Sequence, residues 1–170
     1  MPVQRLNHAV LYVRDVDRSV AFYTAALEFR VVAEMGGKAA FLQAAGSTND
    51  HDLGLFAVGA DAGPSRAGRS TVGLYHLAWE VDTLAELARI RDALLEAGAL
   101  VGASDHATTK ALYAQDPDGI EFEVSWLLPA DLITPEVEAA GATTRPLDLE
   151  AEIDRYGAQT RGGVGVSVPA

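Results

Sequence analysis

The chain of 170 residues contains no cysteine. This excludes disulfides, thiolate metal sites and cysteine nucleophiles, and it fits a cytosolic protein. Cations are scarce as well: 13 Lys and Arg stand against 24 Asp and Glu, a formal net charge of −11. The basic footprint that nucleic acid demands is missing, so no nucleic-acid partner is expected. Long apolar runs are also missing; none approaches the roughly 20 residues that cross a bilayer, so no membrane association is expected. Met1-Pro2-Val3-Gln4-Arg5 leads straight into a strand-like segment, and no signal peptide is expected. What remains is an ordinary globular composition, 49% hydrophobic and 22% charged. Without thiolates, any metal must be held by imidazole and carboxylate, and there are only four histidines to consider.

The pattern along the chain predicts α+β structure. Residues 6–13 read as a strand rich in branched and aromatic side chains. Asp17 is the expected N-cap of a helix over about 18–28, with Val20, Tyr23 and Leu27 at helical spacing. Strand-like segments follow at 29–34, 39–44 and 52–58, with a turn at Gly36-Gly37 and a loop over 59–71. The same order then returns. Residues 74–81 read as a strand, and Thr83 with Glu86 forms a capping box. Leu84, Leu87, Ile90 and Leu94 line a helix that Gly98 ends. Further strands are expected near 99–103, 110–115 and 120–127. Each half opens with a histidine placed alike: His8 precedes Val13 by five residues and His76 precedes Val81 by five. A repeated βαβββ unit, with modules over about 5–58 and 74–127, is the main organisational expectation. The tail from 129 to 170 holds four of the seven prolines and a glycine-rich end. It is expected to carry one short helix over Leu147–Tyr156, to wrap the domain or a partner subunit, and to be disordered at its last residues.

Side chains alternate across a strand. His8, Val10 and Tyr12 therefore share one face, His76, Ala78 and Glu80 share another, and Glu121, Glu123 and Ser125 a third. The opposite faces are the more apolar in the last two strands and are the ones a helix would cover. Both histidines and Glu123 are thus sent to the uncovered face. Two imidazoles and a carboxylate suit a facial triad for Fe(II), or with other geometry Zn, Ni or Mn. On spacing alone a structural role for these residues stands equally open, and Asp116-Pro117-Asp118-Gly119 is first of all a tight turn.

The sequence resembles the vicinal oxygen chelate superfamily of glyoxalases, bleomycin-resistance proteins and extradiol dioxygenases. The resemblance covers about 5–127. It rests on His8, on Asp17-Arg-Ser-Val-Ala-Phe-Tyr23 through Leu27-Glu28-Phe29, on His76, and on Asp116-Pro-Asp-Gly119 with Glu123 four residues beyond the glycine. It implies paired βαβββ modules forming a cupped, barrel-like mixed sheet with helices outside, around one metal held by His8, His76 and Glu123. Glu28 departs from the glycine usual after this leucine, and a local cost at the helix end is expected. The finer resemblance is to extradiol ring-cleaving dioxygenases. His51-Asp-Leu-Gly-Leu-Phe56 resembles the strand bearing their acid–base histidine; His106 and Tyr113 resemble the residues that hydrogen-bond bound catechol. This implies an Fe(II)-dependent enzyme acting with O2 on a small aromatic diol, with His51 and Tyr113 catalytic and His106 binding substrate, and it suggests a homodimer. The rival readings are a glyoxalase-like metal-dependent isomerase or lyase, and a ligand-binding protein of the bleomycin-resistance kind without enzymatic activity.

Overall fold

The computed structural model describes residues 2–3, 5–67, 70–141 and 143–163. Two compact units emerge. The first comprises Met1–Ser65 with Asp116–Gly119, and the second Arg66–Gln115 with Ile120–Ala170.

The first unit runs β1 (Ala9–Val13), α1 (Val16–Leu27), β2 (Arg30–Glu34), β3 (Ala39–Gln43) and β4 (Leu53–Ala57). Its sheet has the order β1-β4-β3-β2, with β1 parallel to β4 and the other pairs antiparallel. The β2–β3 hairpin closes through Gly36 and Gly37, with φ of 54° and 70°. Two successive positive φ values define the turn that matches strand twist, and glycine accepts them without cost. Helix α1 is capped by Asp15, not by Asp17: Asp15 is extended (φ −139°, ψ 113°) and its carboxylate accepts from the Arg18 N–H. Asp17 lies within the first turn, where its charge favours the positive helix end. The buried stripe of α1 is Val16, Ser19, Tyr23, Ala26 and Leu27, with Val20 at its margin. Glu28 ends the helix in the left-handed region at φ 54°. A side chain there costs roughly 1–2 kcal/mol, which is the local penalty expected from the sequence.

The Asp116–Gly119 turn is held to α1 and the end of β1. Asp118 receives the Arg14 backbone N–H at 2.9 Å and its guanidinium at 2.6 Å. The Tyr23 hydroxyl donates to Asp116 at 3.2 Å, and Arg18 donates to the Pro117 carbonyl at 3.1 Å. Segments 93 to 104 residues apart in the chain are therefore hydrogen-bonding partners.

The second unit repeats the topology and extends it. It runs β5 (Leu77–Val81), α2 (Leu84–Glu96), β6 (Leu100–Asp105), β7 (Thr109–Gln115) and β8 (Glu121–Leu127). The tail adds a 3-10 turn (Ala130–Leu132), α3 (Pro135–Ala139), β9 (Arg145–Pro146) and α4 (Leu149–Tyr156). The sheet order is β5-β8-β7-β6-β9, and β5 is parallel to β8 as β1 is to β4. The described strands thus form two mixed sheets and no closed barrel. Leu84, Leu87, Ile90 and Leu94 are the buried face of α2. Thr83 caps this helix, but Glu86 does not complete a capping box; its carboxylate pairs with Arg89 instead. On β8, Phe122, Val124 and Trp126 are almost fully buried, so the expected alternation holds.

The extension joins this unit. β9 pairs with the edge strand β6, and α4 packs on α2. Beneath it Lys110, 1% exposed, is gripped by Asp105 at 2.5 Å and Glu152 at 3.0 Å. The Trp126 indole N–H donates to the Thr160 carbonyl at 3.2 Å. Residues 164–170, which the sequence reading expects to be disordered, lie outside the described residues. Among the described residues, no helix is long and apolar enough to cross a membrane.

Candidate functional site

In the first unit His8 stands one residue ahead of β1, and His51 stands two ahead of β4. Because β1 and β4 are parallel with Ala9 opposite Leu53, the two imidazoles are brought together, their centroids 4.5 Å apart. His51 also meets the Phe41 ring edge-on at 5.1 Å. Its loop is rigidified by Asp52, whose carboxylate accepts from the Ala44 N–H, the Ser47 hydroxyl and the Asn49 amide at 2.7–2.9 Å. Asp50 lies 3.3 Å from His51 Nδ1, and His8 Nδ1 lies 2.7 Å from the Asn7 side-chain oxygen. These carboxamide and carboxylate partners engage the Nδ1 nitrogens and leave both Nε2 atoms as the ones free to act.

In the second unit His76 stands one residue ahead of β5, and Glu123 lies on β8. Leu77 faces Phe122 and Ala78 faces Glu123 in the parallel ladder, so His76 and Glu123 sit at the same end of one face. His76 Nε2 is 3.3 Å from Glu123 Oε2. A charge-assisted hydrogen bond would be shorter, about 2.7–2.9 Å. Two ligand atoms each about 2.1 Å from one ion, at angles between octahedral and tetrahedral, would be about 3.0–3.4 Å apart. The observed spacing fits the second case. His76 Nδ1 is buried with no hydrogen-bond partner among the described residues. The ring is held instead by its neighbours Tyr75, at 4.6 Å, and Tyr113, at 5.9 Å.

Tyr113 is the direct cross-strand partner of Glu123 in the antiparallel β7–β8 hairpin. Their separation of ten residues in the chain is simply the register of that hairpin. Burial first, then the charge of Glu123 and a hydrogen bond to it, push the Tyr113 phenol up to about 12. The group stays protonated near neutral pH and acts as a donor. His106 lies in the β6–β7 turn, with Nε2 3.0 Å from the Tyr113 hydroxyl. That turn forces Ala107 to φ 65° and is steadied by the Asp105 carboxylate, which accepts from the Ala107 N–H at 2.8 Å.

The six residues singled out in the sequence thus fall into two groups. His8 and His51 meet in the first unit; His76, Glu123, Tyr113 and His106 form one continuous set in the second. Neither unit by itself, among its described residues, gathers three His, Asp or Glu side chains at one point. Sequence reading missed one member of the second set. Thr144, in the extension, lies with Oγ1 3.3 Å from His106 Nδ1. Nothing in the local pattern around Thr144 marks it.

Comparison with known proteins gives a consistent picture. The profile of the Glyoxalase/Bleomycin resistance protein/Dioxygenase superfamily matches residues 5–124. A catechol-2,3-dioxygenase of Bacillus subtilis (strain 168) is 30% identical over 156 residues, which is 89% of this chain and 52% of that protein. The chain therefore spans about half the length of that relative. Among solved structures, a glyoxylase/bleomycin resistance protein/dioxygenase domain from Frankia sp. EAN1pec superposes with a TM-score of 0.59 at 23% identity, covering 73% of this chain and 92% of that one. A fosfomycin resistance protein from Listeria monocytogenes, in complex with Mn(II) and a dihydroxypropylphosphonic acid, gives 0.55 at 20% identity, covering 72% and 90%. At such identities the structural likeness is one of fold. The family profile spans most of the chain, including His8, His76 and Glu123, and the chain belongs to the glyoxalase/bleomycin resistance/dioxygenase superfamily.

Proposed function

We propose that this protein is an extradiol-type dioxygenase that opens a catechol-like ring with O2, using one Fe(II) held by His8, His76 and Glu123. The observation that carries the reading is the linked set Glu123, Tyr113 and His106 beside His76. It combines a pair of donors spaced like metal ligands with two hydrogen-bonding side chains suited to substrate oxygens. The 30% identity to a catechol-2,3-dioxygenase over 89% of the chain supports it. The donor set, two imidazoles and one carboxylate, is the one preferred by non-haem Fe(II), and it leaves positions open for small molecules.

When bound, the ion supplies a Lewis-acidic centre that gathers both oxygens of a vicinal diol and lowers their pKa. The rest of the chemistry falls to the chain. His51, with Nδ1 beside Asp50, takes a diol proton at Nε2 and later returns it, a role suited to an imidazole near neutral pH. Tyr113, protonated and facing Glu123 across the β7–β8 hairpin, donates to a substrate oxygen on which charge develops. His106 orients the ring through its own N–H. A homodimer fits this reading.

Two measurements test it. Elemental analysis of freshly purified protein should find one divalent ion per chain, lost in His76→Ala and Glu123→Gln. Oxygen uptake with catechol-type diols should accompany ring opening and stop under argon. A protein without bound metal would refute the reading in favour of simple ligand binding. Turnover that persists without oxygen would place it with the isomerases and lyases.

A further inference from the structure

The two faces of the second sheet meet in the β6–β7 turn. Asp105 ends β6 and is the direct cross-strand partner of Lys110 on β7, so their side chains share a face. Side chains alternate along β7, which puts Tyr113 on the opposite face, and His106 Nε2 is 3.0 Å from its hydroxyl. The turn therefore presents His106 on the side of the candidate site. It hangs from Asp105 on the side where Lys110 meets Glu152 of the C-terminal extension.

Asp105 Oδ1 accepts two hydrogen bonds, from the Ala107 N–H at 2.8 Å and from the Lys110 ammonium at 2.5 Å. The first closes an Asx turn around His106. Ala107 stands at φ 65°, a conformation its β-carbon disfavours, and its N–H meets no other acceptor among the described residues. The second bond fixes the carboxylate. Lys110 is 1% exposed, with its ammonium 3.0 Å from Glu152 Oε2 and 5.8 Å from the centre of the Tyr156 ring, both on α4. Glu152 Oε2 is buried and accepts no hydrogen bond among the described residues, so that contact is a Coulomb pair and the directed donor goes to Asp105. Lys110, closed in under α4, keeps the Asp105 carboxylate turned toward Ala107.

We infer that Asp105 is a positioning residue: its carboxylate, steered by Lys110 beneath α4, holds the left-handed turn at Ala107 and so sets where the His106 imidazole stands beside Tyr113. The extension acts on the site through this ion pair. That His106 meets a substrate oxygen rests on the reading of the site as a diol-cleaving one; the hold on the turn does not.

The test compares variants of the full-length chain. In the metal-free protein the exchange rate of the Ala107 amide and the ring resonances of His106, assigned from His106→Gln, report the turn. Asp105→Ala should speed Ala107 exchange at least about tenfold, the worth of a hydrogen bond to a charged group, and move the His106 signals. Asp105→Asn keeps an acceptor in the same place and loses the charge. It should lower the denaturant midpoint yet leave the His106 signals in place and Ala107 exchange within about threefold of the parent. Ala107→Gly added to Asp105→Ala relieves the left-handed conformation and should return the His106 signals toward those of the parent. In the iron-loaded protein Asp105→Ala should raise KM for catechol about 3- to 10-fold with a smaller change in kcat and no loss of metal, while Asp105→Asn keeps the parent KM. His106 signals unmoved by Asp105→Ala, or displaced as far by Asp105→Asn as by Asp105→Ala, overturn the inference, the second outcome leaving Asp105 a role in stability alone. If the iron-loaded parent cleaves no diol, the proposed reaction falls, while the metal-free signals still decide what holds the turn.

Discussion

Replacing Lys110 with methionine tests how the extension is anchored. The lysine side chain is 2% exposed, and its ammonium is shared by Asp105 and Glu152, which are 18% and 14% exposed. Methionine retains the volume and flexibility of the side chain, so little packing is lost. What is lost is the ammonium that pairs with both partly buried carboxylates. Removing one partner of a buried ion pair costs about 3–5 kcal/mol, and the remaining access of both carboxylates to water puts this case near 3 kcal/mol. For a chain of this size that corresponds to a fall in Tm of about 6–12 °C. Both tryptophans, Trp79 and Trp126, belong to the second unit, so denaturant melts followed by tryptophan fluorescence report on the unit concerned. Adding Asp105→Asn and Glu152→Gln to Lys110→Met should recover much of the loss, because the uncompensated charges are gone. A single variant that melts within about 1 kcal/mol of the parent, or a triple variant less stable than the single one, would refute the electrostatic argument and leave packing as the cause.

The remaining predictions concern the first unit and the chemistry. Tyr23→Phe removes the hydrogen bond to buried Asp116 and should cost about 1–3 kcal/mol at neutral pH. The same variant should flatten the alkaline limb of stability. Burial, and then the charge of Asp116, hold the Tyr23 phenol well above its ordinary value of 10.0. Below pH 10 this contribution is fully present. Above it the unfolded chain loses the proton while the folded chain keeps it, and stability falls by up to about 1.4 kcal/mol per pH unit. Urea melts from pH 7 to 11 should therefore converge for parent and variant at the alkaline end. Finally, His51→Ala should keep the bound metal, measured by elemental analysis, and lose turnover by at least about 100-fold, the usual worth of a general base.

Much of the architecture could be read in advance because it depends on short-range pattern. The apolar stripe of α2 was legible to the residue, since Leu84, Leu87, Ile90 and Leu94 recur at helical spacing and all four are buried. The repeated βαβββ order was legible because each strand and helix carries its own alternation or period. Helix ends were less so. Asp15 and Asp17 are both plausible caps by residue type, and only the extended backbone at Asp15 selects between them. Glu86 had two available partners, and Arg89 competed successfully with the Thr83 N–H for its carboxylate.

The site divides along the same line. His8 and His76 could be matched because each occupies the same place relative to the strand it precedes, and Tyr113 with Glu123 because a hairpin converts a fixed spacing into a cross-strand pair. Those relations are local or repeat-based, and a one-dimensional string retains them. The pairing of α1 with the Asp116–Gly119 turn, the burial of Lys110 between two carboxylates and the meeting of Thr144 with His106 are different in kind. Each joins segments whose separation has no period, and each depends on which edges and faces remain free after the strands have paired. A polar side chain has the same appearance in a sequence whether it ends in water or against an imidazole; the packed chain alone assigns its partner.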